Sequence, residues 1–192
     1  NQAVAGFSSD PLQESHISPT PGVLHKYHGR ALITLSGGCA VHCRYCFRRA
    51  FDYHRHQTSL HPDSAAYQYI CNTPSLHEII LSGGDPLLYP DQRLKKIIEN
   101  LAKIPHLKRV RLHTRLPIVI PQRITQTLTT ALTQTRLQAI MVIHCNHPQE
   151  LDDNTAQAFK ILKQANIALL NQSVLLKTIN DHAGTLIALS EK

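Results

Sequence analysis

The chain has 192 residues, 42% hydrophobic and 17% charged, with a formal net charge of +7, a length that suits one substantial domain burying roughly 70% of its unfolded surface. No apolar run approaches the roughly 18 to 20 residues that span a bilayer, and no N-terminal stretch resembles a secretory signal. Five cysteines, three of them clustered, are unlike the even framework of a disulfide-stapled secreted protein, so a cytoplasmic setting without a membrane partner is expected.

A pI near 9.3 raises the question of nucleic acid. Yet the basic residues fall in small groups, at Arg44/Arg48/Arg49, Lys95/Lys96 and Lys108/Arg109/Arg111. Without a run of five or six like charges, the balance suits small anionic ligands equally well, and no direct nucleic-acid contact is expected.

In chain order, residues 1–25 are rich in Ser, Pro and Gly and predict an irregular lead-in, with residues 26–192 forming the core domain. Ala31 to Leu35 is a short apolar run ending at Ser36-Gly37-Gly38, as a buried strand would. Pro62 to Ile70 predicts a helix, and Glu78 to Ser82 a second buried strand running into Gly83-Gly84-Asp85-Pro86. From Asp91 the positions Leu94, Ile97, Ile98, Leu101 and Ile104 keep helical spacing, with Pro90 and Asp91 as start signals and Pro105 as a stop. Leu107 to Leu112 predicts a strand whose alternating basic and apolar residues turn one face toward something polar. Pro117 to Pro121 reads as a loop, followed by a helix over 122–133 despite its many threonines. Leu137 to Ile143 is the next strand, and Asp153 or Asn154 is placed to cap a helix reaching Ala165. Ile167 to Leu170 predicts a fifth strand with an apolar extension at 174–176, and a last helix starts at Asp181 or His182 and reaches Ser190.

Strands separated by helices predict an α/β fold of repeated βα units with parallel strands, about five here. Binding residues in such folds gather at the C-terminal ends of the strands. Each polar cluster lies there: Cys39 to Arg49, Gly83-Gly84-Asp85, His113-Thr114-Arg115, His144 to His147 and Asn171-Gln172-Ser173.

Cys39, Cys43 and Cys46 are spaced C-x3-C-x2-C, so their thiols must pair or share a metal. Structural zinc wants four ligands, with His42 or a remote His144 as the fourth, but the second short ligand motif of a zinc knuckle is missing. Plain buried thiols are another reading. An iron–sulfur cluster fits better, because three thiolates on a cubane leave one iron open to a ligand. The Gly83-Gly84-Asp85 turn could approach that ligand closely and receive an ammonium, or could be an ordinary turn.

With these motifs the sequence resembles the radical S-adenosylmethionine (SAM) enzymes and, over nearly its whole length, the lysine 2,3-aminomutase family. The segments that carry the resemblance are Pro21 to Tyr27, Leu81 to Leu88, Thr114 to Pro117, Pro121 to Thr125, His147-Pro148 and Asn171 to Asp181. Asp10-Pro11-Leu12-Gln13-Glu14, His25 to Arg30 and Cys43 to Arg49 most resemble the branch that makes (R)-β-lysine for modifying translation elongation factor P.

The resemblance implies a partial (β/α)6 barrel and a 4Fe–4S cluster on Cys39, Cys43 and Cys46, with SAM on the open iron. It also implies pyridoxal 5′-phosphate and conversion of L-lysine to (R)-β-lysine by a 1,2-amino shift, through a 5′-deoxyadenosyl radical and a pyridoxal aldimine. An electron donor to the cluster is implied as well, with room for a homo-oligomer. By motif position Tyr45, Ser82, Gly83, Gly84 and Asp85 would meet SAM. Lys26, Tyr27 and Arg30 would position pyridoxal phosphate, and Arg48 and Asp181 would hold the carboxylate and distal ammonium of lysine.

The sixth strand, a second lysine-binding carboxylate and the aldimine lysine are expected beyond Lys192, so the chain reads as a fragment. A non-catalytic cluster- and SAM-binding piece, or a zinc-dependent nucleic-acid-binding module, are the alternatives.

Overall fold

The computed structural model describes residues 12, 14, 17–49, 51–53 and 58–192. Residues 1–11, 13, 15 and 16 of the predicted lead-in lie outside them. Among the described residues the chain forms one six-stranded sheet in the order β1 to β6. The strands are β1 (Val23–Tyr27), β2 (Arg30–Ser36), β3 (Glu78–Gly83), β4 (Arg109–Thr114), β5 (Gln138–His144) and β6 (Ala168–Gln172). From β2 onward every neighbouring pair is parallel, while β1 folds back antiparallel on β2. The expected partial α/β barrel is therefore present as an open sheet, and the five predicted strands are β2 to β6. The sixth, β1, crosses the boundary drawn after residue 25.

The helices are α1 (Ala65–Cys71), α2 (Asp91–Ala102), α3 (Leu116–Val119), α4 (Gln126–Thr133), α5 (Asp153–Gln164) and α6 (Ala183–Glu191). In α2 the i, i+3, i+4, i+7 set Leu94, Ile97, Ile98 and Leu101 is buried, each side chain contributing about 1.5–3 kcal/mol. They pack against one face of the sheet, where Ile33, Leu81, Leu112 and Met141 stand in register and Leu128, Leu132 and Leu162 complete the core.

Local chemistry sets the helix starts. The side chains of Ser64, Thr125 and Asp152 accept hydrogen bonds from Tyr67 N, Leu128 N and Thr155 N. Asp152 caps α5 one residue earlier than predicted, because Thr155 Oγ1 reciprocates by accepting Asp152 N at 2.8 Å. The stretch predicted as a loop at Pro117 to Pro121 is mostly the single-turn helix α3, with a 3-10 turn over Pro121–Arg123 after it. Thr114 Oγ1 accepts Leu116 N at 3.1 Å at the start of α3 and donates in turn to Asp85 at 2.7 Å, a partner 29 residues away that no local propensity encodes. The predicted helix over 122–133 accordingly starts later, behind Thr125. The apolar extension at 174–176 is not a strand.

Alternation along β4 sorts its residues as its charge pattern predicts. Val110 and Leu112 enter the core, while Arg109, Arg111 and His113 turn to the opposite face, where they line two cavities. No helix among the described residues is long and apolar enough to cross a membrane.

Candidate cluster and cofactor site

The cysteine loop leaves the end of β2, and the Gly-Gly-Asp turn leaves the end of β3 beside it. The two are joined through backbone: Gly84 N donates to Ser36 O at 2.5 Å and Asp85 N to Gly38 O at 2.8 Å. Gly83 sits at φ +106°, which favours glycine, and a Cβ on Gly84 would fall onto the Gly38 carbonyl oxygen and within 2.8 Å of Gly38 N. The close backbone approach expected of these glycines is thus made to the cysteine loop itself.

Cys39, Cys43 and Cys46 all line one cavity of about 250 Å³ at the C-terminal ends of the strands, and Tyr45, Arg48, Ser82 to Asp85, His113, Arg115, His144 and Gln172 also border it. All three cysteines are free thiols. The Cys39 thiol is pushed up to about 11, first by burial and then by Asp85, Cys46 and Cys43. A cation bound beside it, such as a metal centre, would offset these effects and favour the thiolate. Among the described residues no group of three His, Cys, Asp or Glu is spaced to hold one metal ion, and His42 does not line the cavity. Three thiols bordering one cavity suit an iron–sulfur cluster, which three thiolates can hold with one iron left open.

Asp85 borders the cavity, but its carboxylate is already engaged. It accepts from Thr114 Oγ1 at 2.7 and 2.9 Å, Arg115 N at 2.8 Å and Leu87 N at 3.0 Å, pinning the β3 turn to the end of β4. Burial raises its pKa against the pull of these donors.

Arg48 is buried at 8% exposure and grips Glu14 with its fork, Nε to Oε2 at 2.7 Å and Nη2 to Oε1 at 2.6 Å, while Nη1 donates to Ser82 Oγ at 3.3 Å. The bidentate carboxylate contact expected of this arginine is therefore made within the chain. Asp181 lies apart, exposed in the turn after β6, where it accepts Thr178 N at 2.9 Å.

Two of the residues expected at pyridoxal phosphate lie at the ends of the strands away from the cysteine loop. Tyr27 and Arg30, the guanidinium 4.7 Å from the ring centroid, border a second cavity of about 490 Å³ with Arg109, Arg111 and Glu78. Lys26 is exposed and does not line it. Glu78 pairs with Arg109 at 3.1 Å and Arg111 at 2.8 Å, yet Arg111 Nε is buried without a hydrogen-bond partner. Three guanidinium groups against one carboxylate, with a spare buried donor, fit a phosphate-bearing ligand.

The sequence places Arg115, Asn146 and His144 at strand ends but does not say what they contact. Arg115 contacts Cys43 Sγ at 3.0 Å and Glu150 Oε2 at 2.7 Å, and meets the Tyr45 hydroxyl. Asn146 donates to the same hydroxyl at 2.7 Å, and the Tyr45 ring lies 5.5 Å from the His144 ring. Burial pushes the Tyr45 hydroxyl up to about 12, against the opposing charge of Arg115. His113 and His144 each keep a buried Nε2 without a partner. The position of Arg115 within Thr114-Arg115-Leu116-Pro117 was the available hint.

A model of the radical SAM superfamily matches residues 33–129. The chain is 51% identical over 187 residues to the L-lysine 2,3-aminomutase of Haemophilus influenzae, covering 97% of this chain and 55% of that protein. It is 50% identical over 185 residues to the protein of the same name from Escherichia coli, covering 96% and 54%. Against the Clostridium subterminale protein of that name the identity is 40% over 182 residues, covering 94% and 43%. The chain thus spans about half the length of the curated relatives it matches.

Proposed function

This chain belongs to the radical SAM superfamily, and from that premise we propose that the protein is a lysine 2,3-aminomutase, an isomerase that turns L-lysine into (R)-β-lysine. The observation that carries the reading is the convergence of Cys39, Cys43 and Cys46 on the wall of one cavity, beside a Gly-Gly-Asp turn bonded to the same loop. When bound, a 4Fe–4S cluster with SAM supplies a carbon-centred radical, and pyridoxal phosphate supplies a carrier for the migrating amino group.

The chain's own residues bind and orient. Cys39, Cys43 and Cys46 hold the cluster, while Tyr45 and the Ser82–Asp85 turn border the SAM space. Asp85 acts by fixing that turn, since its oxygens are already engaged. Tyr27, Arg30 and the arginines of β4 take the phosphate end of the pyridoxal cofactor. Arg48 receives the lysine carboxylate by exchanging it for Glu14, like for like.

Service to elongation factor P, in the cytoplasm, is the finer proposal. Its support is the resemblance at Asp10 to Glu14, His25 to Arg30 and Cys43 to Arg49.

Anaerobic reconstitution with iron and sulfide, followed by incubation with SAM, pyridoxal phosphate, a reductant and L-lysine, tests the reading. A thiolate-bound cluster absorbing near about 400 nm and β-lysine by mass spectrometry are expected. Stoichiometric zinc without that absorbance would overturn it. For branch identity, β-lysylated elongation factor P should disappear from cells lacking the gene, and unchanged modification would remove that part alone.

A further inference from the structure

Arg115 ends β4, and its guanidinium is clamped from two sides. Nη1 donates to Cys43 Sγ at 3.0 Å, and Nη2 donates to Glu150 Oε2 at 2.7 Å. Glu150 is itself immobilised, because its Oε1 accepts Asn146 N at 2.8 Å and His147 N at 3.0 Å inside the 3-10 turn Pro148–Glu150. The arginine is therefore a fixed cation half-buried against a cluster thiol, and its backbone N–H is tied to the Gly-Gly-Asp turn through Asp85.

We propose that Arg115 is a positioning residue that tunes the cluster, holding the Cys43 thiolate in a charge-assisted N–H···S hydrogen bond and raising the cluster's reduction potential. The inference rests on the reading of Cys39, Cys43 and Cys46 as cluster ligands. Hydrogen bonds to thiolate sulfur and nearby positive charge favour the more negative, reduced cluster. Cys39 has the opposite surroundings, the Asp85 carboxylate being the charge that acts most strongly on its thiol. The site is thus polarised, with the positive end at Cys43.

Glu150 damps this effect. Removing its charge leaves the guanidinium less neutralised, so Glu150→Gln and Arg115→Met should move the potential in opposite directions.

The test is a redox titration of the anaerobically reconstituted protein, followed by the electron paramagnetic resonance signal of the reduced cluster, with iron and sulfide assayed in each sample. In Arg115→Met the ratio of reduced to oxidised cluster at fixed ambient potential should fall about tenfold, a downshift of about 59 mV for one electron. Arg115→Lys, which keeps the charge, should recover part of it, and Glu150→Gln should shift upward. An unchanged potential in a fully loaded Arg115→Met would overturn the proposal. So would failure of both Arg115→Met and Glu150→Gln to hold a cluster, which would assign the pair to loop folding. A wild-type protein without a 4Fe–4S signal would instead overturn the cluster reading itself, so the two failures are distinguishable.

Discussion

Replacing Gly84 by alanine tests whether the cysteine loop and the Gly-Gly-Asp turn are one mechanical unit. The added methyl group would overlap the Gly38 carbonyl oxygen and stand 2.7 Å from Gly38 C and 2.8 Å from Gly38 N. All three are backbone atoms of the loop that carries Cys39, so no side chain can swing away. The loops must separate, breaking the hydrogen bonds from Gly84 N to Ser36 O and from Asp85 N to Gly38 O. At about 1 kcal/mol for each bond, and about 1–3 kcal/mol for the forced displacement, the cost is about 3–5 kcal/mol against a typical stability of about 5–15 kcal/mol. In urea that corresponds to a midpoint lowered by about 1–2 M. Cluster loading should fall further than stability alone dictates, because the displaced segment leads directly into Cys39. Gly184→Ala is the control: a methyl there meets nothing within 4 Å, and alanine favours the helix by up to about 1 kcal/mol. Gly84→Ala with an unaltered urea midpoint and full iron content would refute the account.

Two other perturbations probe the buried charges. His113 is held neutral, its pKa lowered to about 4 first by burial and then by Arg111, Arg48 and His144. A depressed folded-state value means that this stability is fully present above the ordinary histidine pKa of 6.5 and is lost as pH falls toward 4, a loss of about 3 kcal/mol. His113→Gln should flatten that part of the stability curve measured by denaturant titration between about pH 7 and pH 4, and identical slopes in both proteins would contradict it. Glu14→Ala strands the Arg48 guanidinium, buried at 8% exposure, and should cost about 3–5 kcal/mol in equilibrium unfolding. The double change Glu14→Ala with Arg48→Met should recover most of the loss, whereas additive losses would show that the pair does not act as a unit.

Periodicity carried much of the architecture. The spacing of Leu94, Ile97, Ile98 and Leu101 located α2 because an amphipathic helix repeats its buried face locally. The alternation of Arg109 and Arg111 with Val110 and Leu112 foretold a strand with one polar face, which His113 continues. Boundaries were less legible where a distant partner sets them. The α3 turn is closed through Thr114 and Asp85, which lies 30 residues from Arg115. At the site, the three cysteines and the Gly-Gly-Asp turn stood out because their chemistry needs them close in sequence. Arg115, Glu150 and Asn146 did not, since Arg115 follows β4 and the other two follow β5, while the cysteines follow β2.

Composition, the cysteine spacing and the strand–helix alternation were enough to assign a parallel α/β fold with a thiolate site at the strand ends. These are local properties, readable from neighbours a few residues apart. Only the tertiary structure decided how the candidate side chains are spent. It gave the Asp85 carboxylate to the β4 end, the Arg48 fork to Glu14, Asp181 to a surface turn and the Arg115 guanidinium to Cys43. The physical reason is that a buried charge takes whichever opposite or hydrogen-bonding group the packed sheet brings within about 3 Å, and proximity across separate strands is not written in any one segment of the chain.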